Sequence, residues 1–537
     1  MSVSDGVVNR AYDDPPETPS PSDSVTEDPP KLTTLPEKVV ATSESSMTDL
    51  DGKKCEDGQP THWPSIYLLT AVCFFCGVQF SIFFPTLWPF LNQVDPTASE
   101  TFFGFITAAF SVGQGIASPA FGYWMNKTKS IKQPLVFGTI VQIVSNIIFC
   151  FVENFPEHSR RWVMMAARFF IGLGAGTVGV MRAYASTASH VNDRARAITF
   201  VQASYVLGMT IGPGIQVAFT PINYPGFFGD GSKFHLDMYT APAWFAAGIN
   251  VLALAFIFIF LEESYAGVTE VDENEDPYFA MPNFDYYAVS VCVFTQFTLM
   301  FIITNLETVG SMYAMMMWDW TKEQTVEYTG ILQAVNGAFS LIFYGGFAWT
   351  LGVYVSNGRE RQFTILGLFL GVVFHVATFP WPFLPHDISE AIEVVNKGTN
   401  ETIGCDYDKY SWCKNTKKVN FWVYGSFYGV VLAACFPIVN ISMNTLFSKI
   451  LGSRRQGTMQ GIVLMAGSAA RTIGPLLVSF LFEKKGPIPL WYIEVGVLLA
   501  CMLAWVVFYR HLVPLDPDPK LKPYQSYEYD RGRKYRI

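Results

Sequence analysis

The chain has 537 residues, 50% of them hydrophobic and 16% aromatic against 15% charged, with a mean hydropathy of +0.26. That balance excludes an ordinary water-soluble domain and points to a polytopic membrane protein. The formal net charge of −9 says little about partners, because acidic and basic residues are segregated along the chain; no nucleic-acid partner is expected.

Residues 1–62 are rich in Ser, Thr, Pro, Asp and Glu and poor in aromatics, so they read as a disordered tail. No apolar stretch opens the chain, and the first span is expected to serve as an uncleaved signal anchor. Twelve apolar stretches follow, each near the length of about 20 residues that crosses the hydrocarbon core. They centre on 66–90, 101–124, 134–152, 162–184, 197–219, 241–261, 287–312, 327–351, 362–384, 420–443, 457–482 and 490–511. The implied plan is an N-terminal bundle at 63–261, an acidic linker at 262–285, a C-terminal bundle at 286–512 with a long loop at 385–418, and a basic tail at 513–537.

An even number of spans leaves both termini on one side, and lysine and arginine decide which. Lys127, Lys129 and Lys132, then Arg194 and Arg196, Arg359 and Arg361, and Lys449, Arg454 and Arg455 all fall on that side, as do the basic residues of the C-terminal tail. Both termini are therefore expected in the cytosol. The pair Cys73 and Cys76 has redox spacing but sits inside the first span, where two small apolar side chains packing in lipid are expected. Cys405 and Cys413 lie in the long loop on the opposite side and form the candidate disulfide. Asn400-Glu401-Thr402 in that loop is the candidate glycosylation acceptor.

The two bundles echo each other. Ile211-Gly212-Pro213 recurs 262 residues later as Ile473-Gly474-Pro475, and Gly104 to Trp124 resembles Gly330 to Trp349, 226 residues on. One insertion of about the length of the 385–418 loop accounts for the 36-residue difference. Two halves on one plan suit a carrier that opens alternately to either side.

Gly122-Tyr-Trp-Met-Asn126-Lys127-x-Lys129 resembles the signature loop of the major facilitator superfamily, with Asn126 where that loop has an acid. Arg168-Phe-Phe-Ile-Gly172-Leu-Gly174-Ala-Gly176 resembles its fourth-helix arginine motif, and Gly208-Met-Thr-Ile-Gly212-Pro213 its fifth-helix Gly-Pro motif. Closer likeness runs through Trp88-Pro89, Asp95-Pro96-Thr97-Ala98, Leu306-Glu307-Thr308, Trp320 to Gln324, Ser448 to Gly452 and Ala470 to Pro475. These are similar to the major facilitator superfamily domain-containing protein 8 family. The resemblance implies an all-α, twelve-helix fold of two six-helix bundles and a late endosomal or lysosomal membrane protein with a glycosylated lumenal loop. It also implies a role in chloride permeation. Tyr265-x-x-Val268 and Tyr278-x-x-Met281 match a tyrosine pattern read by sorting adaptors.

Charges inside spans are costly and mark pathways. Three fit that rule: Arg168 in span four, Glu307 in span seven and Arg471 in span eleven. By analogy with the superfamily fold, spans one, four, seven and ten line a central cavity and all three residues can face it. Two guanidiniums against one carboxylate would attract an anion, and Glu307 is a candidate proton switch. The competing reading is a permanent Arg168–Glu307 pair, or an Arg471 satisfied at a helix end, holding the bundles together. Arg182 is expected to snorkel toward the cytosol, and His375 to pack alone. Gln79, Gln114, Gln296, Asn305, Gln333, Asn336 and Asn444 read first as interhelical hydrogen-bonding groups. Gly172, Gly176, Gly208, Gly212 and Gly474 read as close-packing positions, and Pro213 and Pro475 as bending positions. Gly174 to Gly179 matches the dinucleotide fingerprint but lacks its strand and its βαβ setting.

No enzyme motif, cofactor or metal spacing is found. The expected function is a permease or channel-like path for a small anion, chloride first, across the lysosomal bilayer. A proton-coupled carrier of an organic anion or other small solute is the alternative within transport, and a membrane scaffold acting through its tails is the alternative outside it.

Overall fold

The computed structural model describes residues 61–515 except 96, 99, 191–192, 223–225, 228–235, 267–282, 397–398 and 409, and beyond them 526–528 and 534–536. The expected N-terminal tail, Tyr278 and most of the linker and basic tail thus lie outside the described residues. Spans one to six are Trp63–Ser81, Glu100–Thr128, Lys132–Cys150, Glu157–Thr187, Arg194–Val217 and Ala241–Phe260. Spans seven to twelve are Tyr286–Trp318, Lys322–Gly346 with its continuation Phe347–Leu351, Glu360–Ala377, Phe421–Leu451, Gly457–Lys485 and Pro487–Val507.

Local chemistry starts several of these helices. Prolines at the first turn open spans one, six and twelve, where a missing N–H costs nothing. Asp285 caps span seven by accepting from the N–H of Tyr287 at 2.8 Å, and Thr321 with Gln324 forms a capping box on span eight. Among the described residues, eleven helices are long and apolar enough to cross a bilayer. The remaining span, Glu100–Thr128, is less apolar because Gly113, Gln114, Gly115 and Ser118 face spans four and eleven rather than lipid.

Three stretches differ from the sequence reading. The first stops at Ser81; the chain turns through Phe84 and Pro85, then resumes as a short helix, Leu87–Val94, because Pro85 has no N–H with which to continue the ladder. The ninth ends at Ala377, where Pro380 and Pro382 forbid continuation, and the seventh runs six residues further than expected, to Trp318. The 385–418 loop is not featureless: strands β1 (Ile392–Asn396) and β2 (Thr399–Ile403) pair antiparallel, with Val395 opposite Asn400.

That hairpin loop is fastened to the C-terminal bundle. Cys405 is bonded to Cys413, and Lys418 Nζ lies 2.6 Å from Asp319 Oδ2 at the end of span seven. Trp318 Nε1 donates to the carbonyl of Val419 at 2.8 Å. The Trp412 ring packs on Gly486, whose positive φ of 76° and want of space favour glycine.

Spans one, four, seven and ten are the most buried of the eleven, at 56–83% against 28–50% for the other seven, and so form the inner ring. The outer helices turn Phe258, Ile259, Phe260, Leu503, Val506 and Val507 outward, the surface expected against lipid. Thr61 bonds to Asp193 before span five, the N–H of Leu515 to the carbonyl of Lys449 at the end of span ten, and Ser186 at the end of span four to Gln456 before span eleven, so the start of span one and the end of span twelve share one face. We call it the tail face and the opposite one the hairpin face.

Candidate functional site

The two bundles meet closely on the tail face. Gly122 of span two and Gly457 of span eleven touch backbone to backbone, and a Cβ on either would strike the other's main chain. Asn126 Oδ1 accepts from the N–H of Gly457 at 2.9 Å, and its Nδ2 donates to Thr458 Oγ1 at 2.9 Å. Ser186 donates to Gln456 Oε1 at 3.1 Å, while Gln456 Nε2 donates to the carbonyls of Ser448 and Gly452. Arg455 Nη1 donates to the carbonyl of Lys129 at 3.2 Å. The amide of Asn126 thus satisfies an N–H of the first turn of span eleven without carrying a charge.

Deeper, Arg471 crosses between the bundles. Gln114 Nε2 donates to the carbonyl of Ala175 at 3.3 Å, beside the break in span four at Gly176, and this turns its Oε1 toward Arg471 Nη2 and Ser468. The guanidinium stands 5.4 Å from the Phe80 ring centre, and its buried Nε has no hydrogen-bond partner among the described residues.

Two further charges share this space. Glu307 is exposed although it lies on an inner span, and it interacts electrostatically with Arg471 and with Tyr428 of span ten. An acid facing hydrocarbon would be costly, whereas these neighbours set it on the wall between the bundles. Arg182 is the correction. It does not snorkel: it lies half-buried within electrostatic range of Arg471, Tyr205, Tyr344 and Cys73, on spans eleven, five, eight and one. It lies on the second half of span four, Thr177–Thr187.

Arg168 is set apart. It is 2% exposed, sandwiched 5.1 Å from the centres of both Phe83 and Phe110, and its Nε and Nη1 have no hydrogen-bond partner among the described residues. No ion pair joins it to Glu307 among the described residues. Arg471 thus has both Glu307 and Arg182 within electrostatic range, while Arg168 lies apart from that range.

The polar candidates divide. Asn336 donates to the carbonyl of Tyr428 at 2.7 Å and Asn250 to Gln79 at 2.5 Å, both interhelical. The first of these satisfies a π-helical segment of span ten, Phe427–Leu432, an irregularity that no local sequence signal announces. Asn444 bonds within its own span to Asn440. Asn305, fully buried beside Gly474, has neither amide atom bonded among the described residues, and Gln333 is exposed. The small residues pack as close-approach positions: Gly172 lies on the Phe110 backbone, Gly176 on Ala117, Gly208 on Phe74 to Val78, and Gly212 on Val78 to Ile82. Pro213 and Pro475 lie inside their helices. Cys73 and Cys76 are buried thiols.

His375 is not alone. Its Nε2 lies 2.7 Å from Glu494 Oε2 of span twelve, with both side chains wholly buried. Its Nδ1 lies 2.8 Å from the carbonyl of Gly371 and so must carry a proton. Sequence reasoning missed Glu494, although the rule that singled out Glu307, an acid inside an apolar span, applies to it equally.

The family model described as Major Facilitator Superfamily matches residues 69–391 and 412–528. Among curated proteins, Major facilitator superfamily domain-containing protein 8 of Xenopus laevis is 28% identical over 487 residues, which cover 85% of this chain and 93% of that protein. Among solved structures, the human organic anion transporter MFSD10 (TETRAN) aligns with a TM-score of 0.59 at 16% identity, covering 83% of this chain and all of that one. The proton:xylose symporter XylE aligns with a TM-score of 0.59 at 12% identity, covering 84% of this chain and 97% of that one. At such identities these structures speak for the fold.

Proposed function

Because the chain belongs to the Major Facilitator Superfamily, whose members move small solutes across lipid bilayers, we propose that it carries a small anion through the space between its bundles. The observation that carries this reading is that Arg471 of one bundle has Arg182 of the other and the acid Glu307 within electrostatic range. Guanidinium stays charged at any physiological pH, so the space is positive and favours a negative solute. A solute held by both arginines also draws the bundles together, which is what coupling of binding to closure requires.

Chloride is the smallest candidate. An organic anion is favoured by a separate observation: Phe80, Tyr205, Tyr344 and Tyr428 stand beside the charged groups and offer apolar area to a carbon skeleton. The closed tail face supports a carrier that alternates over a continuously open pore. Glu307 is the group we assign to proton coupling. We further place the protein in late endosomal or lysosomal membranes with both tails cytosolic and the 385–418 hairpin lumenal, where Asn400 would be glycosylated and the Cys405–Cys413 bond would persist.

Uptake of chloride and of organic mono- and dianions into proteoliposomes, with and without an imposed pH gradient, tests the reading. Saturable uptake that follows the gradient and falls in Glu307→Gln is expected for the coupled carrier. Transport of cations or neutral solutes in preference to anions would overturn it.

A further inference from the structure

On the tail face, away from the central space, a groove of about 560 Å³ opens between spans two, three and six. Its walls are graded. Trp124, Ser130, Lys132, Gln133 and Glu263 form one end, Val136, Phe137 and Ile140 the other, and Phe258 lies beside Lys132. Gln133, Phe137 and Ile140 recur at helical spacing on span three, and all three are exposed, as is Phe258 on span six. Span three begins at Lys132, so Phe137 and Ile140 descend from the polar end toward the membrane interior, while Phe258 stands near the end of span six at Phe260.

At the polar end Lys132, with Lys127 and Lys129 on the adjoining turn, stands against the one carboxylate that lines the groove, Glu263. Both oxygens of Glu263 are occupied: Oε1 by Ser130 at 2.6 Å and the N–H of Lys132 at 3.1 Å, Oε2 by the N–H of Ile131 at 3.2 Å and the hydroxyl of Tyr265 at 2.8 Å. This carboxylate serves the first turn of span three, where a negative group is favourable. Burial first, and Glu263 beside it, push the Tyr265 phenol above its ordinary range, so it stays a donor. Lys132 Nζ spends one hydrogen on the carbonyl of Phe258 at 3.3 Å and stands 5.7 Å from that ring, with two hydrogens left. Lys127 and Lys129, both exposed, follow on the adjoining turn.

We propose that this groove binds one anionic phospholipid of the tail-face leaflet, its phosphate at Lys132 and its acyl chains along Phe137, Ile140 and Phe258. An apolar wall at hydrocarbon depth under a basic rim matches the two chemical halves of such a lipid. The site abuts the closed tail face, since Arg455 of the C-terminal bundle stacks 4.4 Å over Tyr265. A lipid that braces this segment favours the state in which the tail face is shut.

Native mass spectrometry of the full chain, purified from vesicles of equal phosphatidylserine and phosphatidylcholine, tests the proposal. One retained phosphatidylserine in about fivefold preference over phosphatidylcholine is expected, as about 1 kcal/mol per basic residue gives. The preference should vanish in Lys132→Glu and in Ile140→Trp, which fills the groove without touching the Glu263 donors, and persist in Lys484→Glu on the opposite face. Equal retention of the two lipids by the unaltered protein would overturn it. So would a preference that survives Ile140→Trp, a variant that also decides the matter if Lys132→Glu fails to fold.

Discussion

Arg471 owes its direction to Gln114, which is itself aimed by a main-chain carbonyl at the break in span four. Replacing Gln114 by Leu removes that acceptor and leaves the guanidinium charge in place. A hydrogen bond to a charged group contributes about 1.5–3 kcal/mol, so the KM for the anion should rise roughly tenfold or more while the maximal rate changes less. Concentration-dependent uptake reads this split; an unchanged KM would remove Gln114 from the site. The His375–Glu494 pair is a separate case, sealed in the C-terminal bundle. Glu494→Ala leaves the buried Nε2 of His375 without its partner and should cost about 3 kcal/mol in detergent unfolding, whereas Glu494→Gln keeps a partner and should cost clearly less.

Asp95 on the hairpin face contributes in a pH-dependent way. The Thr97 hydroxyl and N–H, donating at 2.6 and 3.0 Å, and Arg161 at 3.5 Å hold its carboxyl below the usual range. A carboxyl depressed in the folded state stabilises fully above its unfolded pKa, and the contribution is lost as pH falls through the folded value. The stability difference between the native protein and Asp95→Asn should therefore be constant near neutrality and vanish only well below about pH 4. A difference that peaked in acid would contradict this.

At the scale of elements, helix–helix approach on the tail face depends on Gly122, Gly457 and the uncharged Asn126. Asn126→Ala removes two hydrogen bonds at about 1 kcal/mol each, enough to shift the balance of open and closed tail faces by roughly tenfold or more. A cysteine in place of Ser118, buried where spans two and eleven cross, should then label faster from the tail side. Unchanged labelling would mean the latch lies elsewhere. The spans themselves were legible because about 20 apolar residues admit few other structures in lipid. Their interruptions were less so. Pro85, Pro380 and Pro382 could have been used as stop signals, whereas the π-helical segment at Phe427 carries none. Arg182 was misplaced because its depth was judged from its place near the end of span four, whereas its charge lies among Tyr205, Tyr344 and Arg471. His375 and Glu494 are 119 residues apart, and no local pattern joins them.

For the whole molecule, the repeat of Ile-Gly-Pro and of the Gly104 and Gly330 segments made the two-bundle plan visible before any coordinates. Of the charges singled out in the sequence, Arg471 and Glu307 interact electrostatically and Arg168 stands apart, while Arg182, expected to snorkel, lies within range of Arg471. The hairpin with its disulfide, and the ties from Lys418 to Asp319 and from Trp318 to Val419, attach the long loop to the C-terminal bundle. We therefore expect it to move with that bundle when the halves rock. The account rests on a positive space between the bundles. The most direct test is anion uptake by proteoliposomes containing Arg182→Ala, Arg471→Ala and Arg168→Ala at matched protein levels. The account predicts uptake abolished or reduced at least about tenfold, as loss of about 1.4 kcal/mol or more of anion stabilisation implies, in the first two and retained in folded Arg168→Ala. Full uptake by both Arg182→Ala and Arg471→Ala would contradict it.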